Sequence, residues 1–229
     1  AGLMSRRAAE KAISSGRVSV DGRTAILGDR VDVESEEVRL DGSVIPVNPA
    51  LVTYLVYKPM GVISTADDPQ GRDTVVQLVP EETRIYPVGR LDSDSEGLIL
   101  LTNDGRLADL VTHPRYGIHK RYLAEVAGVV RPGTLRKLEG GIVLDDGPAA
   151  AIRARLVGSH GDRSQVEVLM GEGRNRQVRR MFDYVGYPVL RLVRTAIGPL
   201  SDSGLQPGQS RLLTSREVAE LLAGAKAEQ

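Results

Sequence analysis

The sequence predicts an α+β protein built on a mixed, mainly antiparallel sheet, and three observations carry that prediction. From Leu51 onward, strand-like segments at 51–57, 97–102, 121–127, 151–157, 164–170 and 189–197 outnumber helical ones at 106–112, 133–139, 175–185 and 215–223. The two kinds do not alternate one for one, as a parallel doubly wound sheet would require. The run Leu98-Ile99-Leu100-Leu101 is continuously apolar, the pattern of a strand buried on both faces. The first fifty residues follow a different grammar of helix, Gly turn and short strands, which predicts a small α/β unit ahead of a linker at "NPA", 48–50.

In that first unit Ser5 can cap a helix whose apolar positions Ala8, Ala9, Ala12 and Ile13 share one side. Gly16 stops the helix, Val18 and Val20 alternate, and Asp21-Gly22 turns the chain. Short alternating segments follow, Val31 with Val33 and Val38 with Leu40, with a second Asp-Gly at 41–42. In the larger part the helix at 175–185 matters most. Val178, Met181, Phe182 and Val185 fall on one face, Arg176, Arg179, Arg180 and Asp183 face away, and Gly186 closes the end. There is no internal repeat and no low-complexity tract.

Composition narrows the function. With 41% hydrophobic and 26% charged residues the chain is an ordinary globular protein, and the absence of cysteine removes disulfides, thiolate metal sites and cysteine nucleophiles. No apolar run approaches membrane-spanning length and no signal peptide opens the chain, so it is read as cytoplasmic. Basic and acidic residues cancel at thirty each, but unevenly along the chain. Residues 1–30 hold six basic against three acidic side chains, and residues 171–194 six arginines against two acids. Arginine suits phosphate forks and base edges, although such runs also form plain solvated faces.

The stretch "PVGRLDSDSEGLILLTNDG", 87–105, crowds three acids against the predicted core strand. As a calcium loop "DSDSEG" fails, because the twelfth position is Asn103 and strands are predicted where an EF-hand needs helices. His113, His119 and His160 have no zinc-binding spacing, and "GEGRNR" at 171–176 is neither a P-loop nor a dinucleotide fingerprint. What remains is carboxylate chemistry without a cofactor. Asp92, beside Arg90 and Leu91, can act as nucleophile or base if a guanidinium keeps it ionised in a cleft; the same pattern also fits an ion pair at a strand end.

Four segments, in order and at their spacing, resemble a known family. "YKPMGVIST" (57–65), "GRLDSDSEGLILLTNDG" (89–105), "KRYLAEV" (120–126) and "GEGRNRQVRRMFDYVGYPVLRLVRTAIGPL" (171–200) resemble the motifs of bacterial ribosomal RNA pseudouridine synthases of the RsuA type, closest to the large-subunit synthase B branch. "SRRAAEKAISSGRVSVDG" resembles an S4 RNA-binding domain, with Ala1 standing as a truncated start. The resemblance implies the pseudouridine synthase fold over 51–229 and an S4-like α/β RNA-binding domain over 1–47. It implies isomerisation of one uridine in ribosomal RNA, of the large subunit by the "GRNRQVRRM" form, by a monomer with no cofactor, metal or small-molecule substrate. By the same resemblance Asp92 is the catalytic carboxylate, attacking the sugar or removing a sugar proton. Arg174 is its paired cation, and Tyr122 stacks on the target base and can carry its proton. Arg90 supports the flipped-out nucleotide or its vacated place. Arg6, Arg7 and Lys11, with Arg176, Arg179, Arg180, Arg191 and Arg194, then read as RNA contacts, most of them to phosphates. Two competing readings are a non-catalytic ribosomal RNA-binding or assembly factor on the same fold, and a hydrolase using Asp92 and Asp94 as paired carboxylates.

Overall fold

The computed structural model describes residues 3–32, 35–45, 50–80 and 84–225. The chain divides into two compact units, Ala1–Leu51 with Glu81–Arg84, and Val52–Pro80 with Ile85–Gln229.

The first unit opens on helix α1 (Arg6–Ser14), where the Ser5 hydroxyl accepts from the Ala8 amide as the N-cap. Strands β1 (Val18–Val20), β2 (Arg23–Thr24), β3 (Val38–Leu40) and β4 (Ser43–Val44) form an antiparallel sheet in the order β2-β1-β3-β4. Both Asp-Gly pairs have two successive positive φ angles, the type I′ geometry that matches the twist of a hairpin. Val31 lies outside any strand, and Val33 lies outside the described residues. So does most of the expected linker at 48–50, together with residue 47, where the small domain was expected to end.

The second unit contains β5 (Thr53–Lys58), β6 (Tyr86–Val88), β7 (Glu96–Thr102), helix α2 (Gly105–Thr112), β8 (Lys120–Ala127) and helix α3 (Pro132–Gly140). There follow β9 (Ile142–Leu144), β10 (Gly147–Ala149), β11 (Arg153–His160), β12 (Arg163–Met170), helix α4 (Gln177–Tyr184), β13 (Val189–Ile197), β14 (Leu200–Ser201), β15 (Ser210–Leu212) and helix α5 (Ser215–Gly224). The main sheet runs β11-β12-β8-β13-β7-β5-β15, with β14 on β13 and β6 on β7, and β9-β10 make a separate hairpin. All its named pairings are antiparallel except β13 with β7. The sheet is therefore mixed and mainly antiparallel, as the strand and helix count predicted.

The apolar run of β7 is buried on both faces. Ile99 and Leu101 enter one core with Tyr54, Val56, Val166, Met181 and Phe182, while Leu98 and Leu100 enter another with Leu55, Leu107, Val111 and Leu221. Helices α3 and α4 supply the first core, α2 and α5 the second. The short strands β6, β9, β10, β14 and β15 escape prediction, because two or three residues carry too little period to read.

The parallel pair β7–β13 spans only two residues, Glu96 opposite Val193 and Gly97 opposite Arg194. Two antiparallel blocks thus meet at one narrow join and part beyond it. Gly97 sits there at φ +106°, and a Cβ would press on the backbone N of Arg194 at 2.6 Å as well as on its carbonyl oxygen. Only glycine lets the strands approach this closely. From the Arg194 side the guanidinium Nε donates to Leu98 O at 2.6 Å across the same join. Gly97→Ala should lower stability by about 2–4 kcal/mol in urea unfolding, through strained φ and overpacking together. Wild-type stability in that variant would mean the join is looser than its geometry indicates.

Candidate active site

A cavity of about 460 Å³ opens where the two blocks part. Val88 at the end of β6, Gly89 after it, and Val111 and Thr112 of α2 line one side, Lys120 and Tyr122 of β8 and Arg194 of β13 the other. Arg90, Leu91 and Asp92 form part of the rim, and the segment 172–178 closes the remaining side. Tyr122 is buried, directly opposite Arg194 in the sheet. A second hollow of about 590 Å³ shares Arg90, Asp92 and Arg176 with the first.

The acid loop is held from below. Leu91 is buried, and its N and O both bond the Ser64 hydroxyl, at 3.0 and 2.8 Å, which fixes the residues on either side of it. The Ser95 amide donates to Asp92 O at 3.0 Å, and Gly61 N to Ser93 O at 2.7 Å. Lys58 lies fully buried beneath, donating to Pro59 O at 3.0 Å and Val62 O at 2.6 Å. Burial pushes its ammonium down to about 8, against the opposing pull of Asp94, Asp92 and Glu96.

The three acids have separate fates. Glu96 is buried and takes a bidentate grip from Arg191, 2.6 and 3.1 Å, with the Tyr57 hydroxyl at 3.4 Å. Asp94 takes both terminal nitrogens of Arg176, at 3.0 and 2.8 Å, and lies 3.3 Å from Arg179 Nε. The Arg191 and Arg176 guanidiniums hold the Glu96 and Asp94 carboxyls below the usual carboxylate range. Asp92 is left facing the cavity, with Arg176 Nη1 at 4.0 Å as its one ion-pair neighbour among the described residues.

Several expected roles need correction. Arg174 lines the cavity but does not pair with Asp92. Its guanidinium binds Asp146 at 2.8 Å, Glu172 at 3.2 Å and Pro148 O at 2.6 Å, which ties the β9–β10 hairpin to the segment before α4. Arg179 does not face away from the core; it is buried, bonded to Val189 O at 3.0 Å and Asp94 O at 2.6 Å. Arg194 is likewise buried rather than on an outer phosphate-binding face. Arg180 spans Asp145 and Asp146 at 2.6 and 2.7 Å, and Arg191 is taken by Glu96. The run of arginines is thus largely neutralised by the chain's own acids. On α1, Arg6 pairs with Glu10 at 3.2 Å, while Arg7 and Lys11 are exposed. Arg90 is exposed at the rim, and its side chain bonds no described residue.

Arg176 escaped the sequence reading as the cation beside Asp92. It occupies the left-handed region at φ +47°, ψ +27° as N-cap of α4. The other non-glycine residues at positive φ among the described residues, Asp21 and Asp41, sit in hairpin turns that favour them. A long side chain so placed carries strain, held by its ion pairs, and backbone strain of this kind gathers at working sites.

One uncommitted carboxylate in a cavity with a buried tyrosine and a clamped guanidinium is the arrangement of an enzyme site. The chain belongs to the RNA pseudouridylate synthase family, whose model matches residues 52–184. A Mycobacterium tuberculosis protein, an uncharacterized RNA pseudouridine synthase by name, is 45% identical over 226 residues, which cover 96% of this chain and 89% of that relative. The ribosomal large subunit pseudouridine synthase B of Bacillus subtilis is 43% identical over 229 residues, 97% of this chain and 92% of its own. A crystal structure of a pseudouridylate synthase matches with TM-score 0.69 at 29% identity, over 96% of this chain and 95% of that one. An archaeal box H/ACA sRNP complex shares the fold, with TM-score 0.51 at 19% identity over 69% of this chain and 51% of that one. The chain is an RNA pseudouridine synthase, an isomerase that modifies RNA.

Asp94→Asn should free Arg176 and lower activity on the order of ten- to a hundredfold, because small displacements of a clamped group are costly. Full activity in this variant would leave Asp94 with no role beyond shaping the loop. Acidification tests the same pairs. Groups whose carboxyls are depressed in the fold contribute stability above the unfolded value of about 4 and lose it as pH falls. Glu96→Gln should therefore flatten the acid limb of the stability curve, measured by thermal unfolding between neutral and acid pH.

Proposed function

We propose that the chain converts one uridine to pseudouridine in large-subunit ribosomal RNA, with Asp92 as the reacting carboxylate. The observation that carries this reading is the division of labour among the acids. Asp94 and Glu96 are held by arginines, Glu172 is held by Arg174 and Gln177, and Asp92 alone of the loop acids faces the cavity largely unengaged. The paired-carboxylate hydrolase loses its second acid, since Asp94 is committed to Arg176 and Arg179. The non-catalytic reading is not favoured, because Asp92, Tyr122 and the cation beside Asp92 are all in place. The ribosomal assignment rests on relatives named for the large subunit.

The reaction breaks the N1–C1′ bond, turns the uracil and rejoins it through C5. Chemistry on a base requires taking it out of the stack, and the ring of Tyr122 offers the extruded uracil a face. Arg176 stands 4.0 Å from Asp92 as its countercharge, and Arg90, whose side chain bonds no described residue, stands at the rim to meet the RNA backbone. Arg174 acts at one remove, holding the hairpin that borders the cavity. The first unit serves as an S4-like RNA-binding module, with Arg7 and Lys11 on one exposed helix as phosphate contacts.

Asp92→Asn should abolish tritium release from C5-labelled uridine in RNA while leaving affinity nearly unchanged; an active variant would end the assignment. Tyr122→Phe separates stacking from proton transfer. It should bind RNA normally, and it should lose tritium release only if the hydroxyl carries the proton. Arg7→Ala with Lys11→Ala should weaken RNA binding for all sequences alike and reduce the salt slope by about two contacts. A loss confined to the target sequence would make them base readers.

A further inference from the structure

We propose that Lys120 and Arg194 form an acid-free cationic wall that carries the negative charge of the uracil ring while it is detached from its sugar. The inference rests on the reading of Asp92 as the group that engages the ribose. It concerns the opposite partner in the same bond cleavage.

The placement follows from the sheet. Lys120 and Tyr122 are two residues apart on β8 and so project from one face, and Arg194 lies directly opposite Tyr122 on β13. All three line the cavity. The other cations of segment 172–178 are held by carboxylates, Arg174 by Asp146 and Glu172, Arg176 by Asp94. Lys120 and Arg194 are not. Lys120 Nζ donates to Val111 O at 3.1 Å, Arg194 Nε donates to Leu98 O at 2.6 Å, and neither forms an ion pair with a described residue. Arg194 Nη2 is buried without a hydrogen-bond partner.

Two enclosed cations side by side repel each other and lack their water. Burial pushes Lys120 down to about 8, with the charge of Arg194 adding to the effect. Among the described residues no carboxylate acts on Lys120, whereas the buried Lys58 feels three. An orphaned donor and an uncompensated charge are unfavourable in the empty protein. An anion brought against the same face of Tyr122 would relieve both.

The reaction supplies such an anion. When N1–C1′ breaks, the bonding pair leaves with the ring, giving a uracil monoanion whose charge spreads over N1, C5 and the oxygens O2 and O4. When C5 bonds to C1′, the pair returns to carbon, the C5 hydrogen departs as a proton and N1 gains one. Atoms and electrons balance with no added reagent. Asp92 and Arg176 address the sugar, so charge on the ring needs donors elsewhere, and the wall beside Tyr122 is where a stacked base presents its edge. Donors fixed in advance, where charge develops, lower a barrier rather than merely tighten binding.

The test uses the full chain with Lys120→Met, Lys120→Gln and Lys120→Arg, and RNA carrying uridine or 5-fluorouridine at the target. Because C5 of 5-fluorouridine has no hydrogen to lose, its rearrangement stops short of pseudouridine. The single-turnover loss of the substrate nucleoside at saturating RNA is therefore followed for both RNAs by chromatography of the digest, beside a direct measurement of affinity. Lys120→Met and Lys120→Gln should slow uridine conversion about a hundredfold, the scale of losing one donor to a developing anion, with affinity preserved. Lys120→Arg should recover most of the rate. Fluorine withdraws charge from the detached ring, so the defect should shrink to about tenfold or less on 5-fluorouridine. A purely structural defect would not respond to fluorine. Equal defects on both substrates would overturn the proposal, as would lost affinity with an intact saturating rate, which would make Lys120 a phosphate contact. Asp92→Asn run alongside separates the two readings: if it stays active, the assignment of Asp92 fails first. If it is dead while the Lys120 defect ignores fluorine, only the present inference fails.

Discussion

The site depends on the two-residue parallel join between β7 and β13. Everything on the cavity's two walls belongs to one block or the other, and Gly97 against Arg194 is where the blocks are fastened. A longer parallel pairing would zip the strands together and fill the space between them. A looser one would let Asp92 and Tyr122 drift apart. The missing Cβ of Gly97 allows the contact, and the Arg194 guanidinium crossing to Leu98 O reinforces it with a charged donor. One arginine therefore fastens the two halves of the sheet and forms part of the cavity wall.

Charge in this protein is distributed mostly inward. Arg174, Arg176, Arg179, Arg180 and Arg191 look on paper like an RNA-binding strip, yet each is matched to the chain's own acids. Where such pairs are exposed their stability is small, and where they are buried the cost of breaking one is far larger than the gain of having it. Their effect is on position. They lash the β9–β10 hairpin, the acid loop and α4 into one frame around the cavity. Among the cations that line the cavity, Arg90 at the rim and Lys120 and Arg194 within pair with no described acid, and they are the ones free to meet a substrate there.

Much of this was legible in the sequence. The double burial of β7 followed from four consecutive aliphatics, and the turns of the first unit from two Asp-Gly pairs. Asp92 and Tyr122 were found by their motifs and lie on one cavity. What the sequence could not reveal was pairing at long range. Arg174 lies 28 residues from Asp146, and Arg176 lies 82 from Asp94. Helical period alone put Arg179 outside, because the rule that charges face solvent fails where a carboxylate and two carbonyls wait inside. Lys120 carries a readable signal: two residues before Tyr122 on an alternating strand, it has to share the tyrosine's face.

The pairing of Arg176 with two carboxylates has a meaning for the whole reaction cycle. Under the proposed role Asp92 loses its negative charge midway, either by bonding to the sugar carbon or by taking a sugar proton. If Arg176 had Asp92 as its sole partner, that moment would strand a guanidinium at the edge of an enclosed cavity. Arg176 is 44% exposed and Asp92 27%, so the loss is nearer to a surface pair's ~0–1 kcal/mol than to a buried one's, and the barrier would rise by a share of that amount. Asp94 prevents this. Its two short contacts hold Arg176 whether or not Asp92 is charged, so the guanidinium can stabilise the ionised aspartate before and after the step without penalising its neutral form between. Under that proposed role, the crowding of three acids into five residues is a division into one group that reacts and one that keeps the reacting group's cation satisfied while it does. Glu96, locked to Arg191, anchors the end of the loop in the sheet.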